Sequence, residues 1–154
     1  QQVPEFTAEA SRLLDSHDNP VLTAYMIVGV KCGATPRYAE RLKALETEFR
    51  SKGVEFVYLY PNKTESRDEK LAFHRKVGLR SAWVDDEGAK ICKALGFANT
   101  AATVLVDEQG QVVYRGGIDD SADAASVKRR HLAEAIQETL ADKPVSVTTS
   151  KPFG

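Results

Sequence analysis

Two periods of apolar and polar positions run through this chain. "VLTAYMIVGV" at 21–30 and "VEFVYLY" at 54–60 are continuous apolar, β-branched and aromatic runs, which predict strands buried on both faces. The first is expected from Pro20 or Val21 to Val30, and the second is bounded by Gly53 and Pro61. Between them, Tyr38, Leu42, Leu45 and Phe49 recur at helical spacing, which predicts a helix over 35–52 with Pro36 in its first turn and Gly53 as its stop. Parallel pairing of the two strands follows from that intervening helix.

The rest of the pattern completes one domain. "FTAEASRLLDSHD" at 6–18 predicts a short amphipathic helix within an N-terminal extension, 1–19. "SRDEKLAFHRKVG" at 66–78 predicts a helix with Leu71, Phe73 and Val77 turned inward, and "SAWVDD" leads into a short helix at about 86–95. "AATVLVDEQGQVVYRGG" reads as a β-hairpin turning through Glu108, Gln109 and Gly110. A last helix carries Leu132, Ala135, Ile136 and Leu140 and stops at Pro144, leaving an extended tail over 144–154. A β-α-β unit followed by a hairpin and a closing helix predicts an α/β fold: a central mixed sheet with helices on both faces, the order of the thioredoxin architecture.

Composition narrows the function classes. The chain has 154 residues, enough for one domain with a core that needs no metal or disulfide staple. Its 21 Lys and Arg balance 22 Asp and Glu, so neither a nucleic-acid surface nor a polybasic membrane patch is expected. The longest apolar run has ten residues, too few to span a bilayer as a helix, so no membrane insertion is expected. His17, His74 and His131 fall on separate elements without a ligand spacing, so no metal and no cofactor are expected.

Two cysteines carry the candidate chemistry. Cys32 follows the carboxyl end of the first strand and precedes the next helix, where open α/β sheets place their sites. A helix start and the cations of Lys31 and Arg37 favour a thiolate there, the form that attacks a disulfide or a peroxide. A lone cysteine is otherwise a small apolar filler, so position carries the functional reading. Cys92, in "GAKICKALG", reads as core packing, with a resolving thiol for Cys32 as the rival role. Asp119 and Asp120 read as a turn and helix cap, or as a cation or acid-base pair. Arg115, near the end of the hairpin, is a candidate for steering an anionic or peroxide ligand at the same rim.

The segments "VKCGATPRYAERLKALETEF", "FHRKVGL", "ICKALG", "VLVDEQGQVVYRGGIDDS" and "LADKPV" together resemble the thioredoxin-like redoxins of the AhpC/TSA type. The resemblance covers roughly 20–148 and is closest to members with a C-P-x-x-N-R-Y-like segment, whose R-Y matches Arg37 and Tyr38. It implies a redox-active or peroxidatic Cys32 in a bacterial periplasmic or otherwise extracytoplasmic protein, with other domains of a longer chain as partners. It further implies a cysteine beyond "KPFG", so that the segment is a piece of a longer chain.

Four positions depart from the family pattern. Thr35 stands where a C-x-x-C protein has its second cysteine, and Gly33 replaces the usual proline. Gly29 occupies the place of a hydroxyl residue three before the thiol, which leaves Thr35 as the nearby hydroxyl. Ala101 replaces a cis-proline in the substrate loop; a cis bond before alanine costs about 2.5–4 kcal/mol, so a trans peptide is expected. Resetting Cys32 then falls to Cys92, to a C-terminal thiol outside the segment or to an external thiol reductant. The alternative is a redox-inactive binding or structural module of a larger protein.

Overall fold

The computed structural model describes residues 22–27, 35–61, 66–79, 82–85, 92–93, 102–121 and 124–150. The elements are β1 (Leu22–Ile27), α1 (Thr35–Phe49), β2 (Val54–Leu59), α2 (Arg67–Val77), β3 (Ala82–Val84), β4 (Ala102–Asp107), β5 (Val112–Gly117) and α3 (His131–Leu140). The helix expected over 35–52 is α-helical to Phe49 and tightens into a 3-10 turn over Arg50–Lys52. Gly53 ends it at φ 89°, a left-handed conformation that favours glycine.

One five-stranded sheet has the order β3-β2-β1-β4-β5. β1 pairs parallel with β2 and antiparallel with β4, and β5 pairs antiparallel with β4. β3 adds a third parallel strand beside β2. It is a correction to the sequence pattern, in which three residues are too few to show a period.

Pairing register divides the strand residues into two faces. Leu22, Ala24, Met26, Val54, Phe56, Tyr58, Leu105 and Tyr114 form one cluster with Leu42, Leu45 and Phe49 of α1 and Leu132 and Ile136 of α3. Tyr25, Ile27, Val57, Leu59 and Val104 lie on the opposite face and are buried as well. Burial of both faces explains why β1 and β2 read as continuous apolar runs.

Helix α2 adds to what its spacing predicts. Phe73 and Val77 are half-buried and pack against the core as expected, Leu71 is half-buried, and the fully buried residues are Lys70 and His74. A capping box starts the helix: Glu69 N–H donates to Ser66 Oγ and Ser66 N–H donates to Glu69 Oε1, each at 3.1 Å. The buried polar side chains have partners. Lys70 Nζ lies 2.6 Å from Asp85 Oδ1 and ties α2 to the exit of β3. Tyr60 Oη and His74 Nδ1 are 2.9 Å apart, and the His74 ring packs edge-on against Tyr58 at 5.4 Å. Tyr58 donates to Glu46 Oε2 of α1 at 3.0 Å; burial first, and then that carboxylate, holds its phenol well above the ordinary range.

The tail is tied to the outer edge of β5. Arg115 N–H donates to Thr148 O at 2.9 Å and Ser150 N–H donates to Arg115 O at 3.1 Å, so chain covers an edge otherwise open to pairing. Three groups close a ring beside it: Tyr114 Oη–H donates to Gly117 O, Gly117 N–H donates to Ser150 Oγ, and the Ser150 hydroxyl donates back to the Tyr114 oxygen. A Cβ on Gly116 would come within 2.5 Å of Ser150 O, so the close approach of tail and strand requires glycine. Helix α3 stops at Leu140, and Asp142 at φ 60° turns the chain toward this edge ahead of Pro144.

Burial pushes the Tyr114 phenol up to about 12. Below pH ~10 the folded and unfolded chains both hold this proton; as pH rises from ~10 to ~12 the unfolded chain releases it first, so stability falls by about 2–3 kcal/mol. Tyr114→Phe removes that loss, while the buried Tyr58 contributes a loss of the same sign in both proteins. Urea unfolding at about pH 9.5 and 11.5 checks this: wild type should lose about 2 kcal/mol more than the variant, and equal losses would contradict it.

Candidate functional site

Four chain segments meet at one end of the sheet. Parallel strands β1 and β2 finish there at Ile27 and Leu59, while antiparallel β4 begins at Ala102, paired with the last residue of β5, Gly117. Helix α1 starts at Thr35, so residues 28–34 must link the end of β1 to the start of a 15-residue helix. Cys32 is among those seven residues; it lies outside the described residues, but its two anchors do not.

A buried ion pair at this end fastens α1 in place. Arg41, in the second turn of α1, donates from one terminal nitrogen to Asp119 Oδ2 at 2.7 Å and to Ser121 O at 2.9 Å. Ser121 N–H donates to Asp119 Oδ1 at 3.2 Å, so both oxygens of a carboxylate only 4% exposed are engaged. The pair joins residues 78 positions apart and locks the chain leaving β5 against α1. Asp120 reaches along the chain: its Oδ1 accepts from Lys128 N–H at 2.9 Å, and that bond, followed by the Arg129 amide, holds its carboxyl below the ordinary range. The bond from Ser121 N–H to Asp119 is the expected turn, neither acid caps α3, which begins after Arg130 with no side-chain cap bond, and the salt bridge to Arg41 is an addition.

The other expected site residues fall as follows. Thr35 and Arg37 occupy the first turn of α1. Ala101 lies outside the described residues, directly before β4. Cys92 is 3% exposed, in accord with core packing. Arg115 is in mid-strand: it pairs with Val104, which pairs with Tyr25, two residues before the end of β1. Ile118 and Asp119, not Arg115, follow the end of β5 at the rim. Arg41 carried no motif in the sequence, and only its place on α1 beside Leu42 and Leu45 marks it as able to face the fold.

Next to the Arg41–Asp119 pair is a cavity of about 270 Å³ between α1, the end of β5 and the residues before α3. Ala44, Leu45, Ile118 and Val127 make its apolar walls, and Arg130 stands at its exposed side. A broader groove of about 630 Å³ runs between α1 and α2, floored by Phe73 and Val77.

No family model and no curated protein matches the chain. Solved structures do. A hypothetical protein of Sinorhizobium meliloti 1021 superposes with a TM-score of 0.82 over 88% of this chain and 78% of its own, at 21% identity. A thioredoxin-like protein in its oxidised form covers 93% of this chain and 97% of its own, with a TM-score of 0.72 at 13% identity. The fold is the thioredoxin fold. A secreted disulfide oxidoreductase of Mycobacterium tuberculosis, described as homologous to E. coli DsbE, matches 59% of this chain and 65% of its own, with a TM-score of 0.53 at 15% identity.

On this thioredoxin fold the Arg41–Asp119 pair is the testable joint. Breaking one partner of a buried ion pair leaves an uncompensated charge and costs about 3–5 kcal/mol, whereas replacing both by apolar residues costs far less. Asp119→Asn should therefore lose about 3 kcal/mol in urea unfolding, and the double variant Arg41→Met with Asp119→Leu should regain most of it. Additive losses in the double variant would contradict the pairing.

Proposed function

We propose that this chain is a thiol-based redox protein in which Cys32 attacks a disulfide or a peroxide. The observation that carries the reading is the placement of its anchors: β1 ends at Ile27 and α1 begins at Thr35, so Cys32 belongs to the short link between a central strand's carboxyl end and a helix start. Free N–H groups of a helix's first turn and its positive dipole end stabilise a thiolate, and Lys31 and Arg37 are cationic neighbours in sequence. The likeness to a disulfide oxidoreductase supports the same reading.

Against a disulfide, the Cys32 thiolate forms a new S–S bond to one sulfur and expels the other as a thiolate. Against a peroxide, it takes one oxygen, becomes a sulfenic acid, and releases an alkoxide or hydroxide that is then protonated. Either product is reset by two thiols: the first attacks Cys32 Sγ, releasing water from the sulfenic acid or the substrate thiol from the mixed disulfide, and the second attacks the reductant sulfur of the resulting disulfide, freeing the Cys32 thiolate and leaving the reductant as a disulfide. Thr35 excludes a second thiol at the usual position of a C-x-x-C motif, and Cys92 is buried. The reductant is then an external dithiol or a thiol of the longer chain outside this segment. The sequence resemblance extends the proposal to a single-cysteine protein of the AhpC/TSA type that works outside the cytoplasm.

Cys32→Ser tests the reading. In wild type, dimedone should trap a sulfenic acid at Cys32 after peroxide treatment, and dithiol-dependent disulfide or peroxide reduction should fall to background in the variant. If wild type forms neither a sulfenic acid nor a mixed disulfide at Cys32, the chain is a redox-inactive module of the same fold.

A further inference from the structure

The cavity beside Arg41 has no part in the thiol chemistry. Among the described residues its walls, Ala44, Leu45, Ile118 and Val127, are apolar, and its charged lining residues are Arg41, Asp119 and Arg130. Asp119 and Arg41 neutralise one another at 2.7 Å, so among the described lining residues Arg130 is the charged one whose partner, Glu48, lies outside the lining. Arg130 is held by Glu48, one turn along α1 from Ala44 and Leu45, at 2.8 Å. Both partners of that bridge are substantially exposed, with side chains 50% and 33% accessible. Such surface pairs contribute only about 0–1 kcal/mol, so another carboxylate can displace Glu48 at little cost.

We infer that this cavity binds a small monocarboxylate whose apolar body fills the space between α1 and the end of β5 and whose carboxylate replaces Glu48 on Arg130. About 270 Å³ suits a short aliphatic chain or a single aromatic ring, and a guanidinium holds a carboxylate through two parallel hydrogen bonds. Glu48 is then a built-in competitor: it occupies Arg130 when the cavity is empty and swings to solvent when a ligand is bound. This inference is independent of Cys32.

The probe is 3-phenylpropionate, with uncharged 3-phenylpropanamide as control, titrated into the full chain while the backbone amides of Ala44, Asp119 and Val127 are followed by NMR. The carboxylate should shift these amides saturably with a dissociation constant on the order of 1 mM and bind more tightly than the amide. Arg130→Gln should weaken the carboxylate roughly five- to tenfold and leave the amide unchanged. Glu48→Gln should tighten the carboxylate about threefold by removing its competitor. Ala44→Phe, at an exposed position on α1, should abolish binding of both compounds. Absence of saturable shifts, equal binding of carboxylate and amide, or an unchanged affinity in Glu48→Gln would each overturn the inference.

Discussion

Strand β1 is the constraint on which the structure depends. It lies third of five in the sheet, hydrogen-bonded to a parallel neighbour on one side and an antiparallel neighbour on the other. Every one of its residues is buried, so nothing along it can be exchanged for a solvated surface. A parallel neighbour also forces the chain to leave β1 and return through a helix, which sets α1 against one face of the sheet. The link out of β1 and the start of α1 are consequences of that geometry, and Cys32 falls in sequence within that link.

Buried charges and hydroxyls then fix how the helices sit. Arg41 with Asp119 fastens α1 to the chain leaving β5, Lys70 with Asp85 fastens α2 to the exit of β3, and Glu46 with Tyr58 ties α1 to β2. Each pair joins two elements that apolar contact alone would allow to slide. Satisfied polar groups in a core cost little net stability but penalise every alternative packing that would leave them unpaired. The ring of Tyr114, Gly117 and Ser150 does the same for the tail, holding it along the one edge of β5 that lacks a neighbouring strand.

The apolar pattern made the strands, the main helix and the hairpin legible, because burial imposes a period that local sequence must follow. It was incomplete where burial was polar. In α2, Phe73 and Val77 pack against the core as their spacing suggested, but the fully buried positions are Lys70 and His74, because the shelf of Tyr58, Tyr60 and Trp83 with Asp85 supplies partners for them. β3 escaped notice because three residues carry no measurable alternation. At the candidate site, the place of Cys32 between a strand and a helix was readable from the chain alone. The Arg41–Asp119 pair was not, since its members are 78 residues apart and only the sheet brings them together.

In the proposed chemistry, the strand end and helix start that bracket Cys32 stabilise its thiolate. The most direct test is the pKa of that thiol, followed by thiolate absorbance near 240 nm in a Cys92→Ala background across the pH range. The thiol should titrate clearly below the ordinary cysteine value of about 8.5. A value at or above 8.5 would contradict it, because it would show that neither the helix start nor the neighbouring cations act on Cys32.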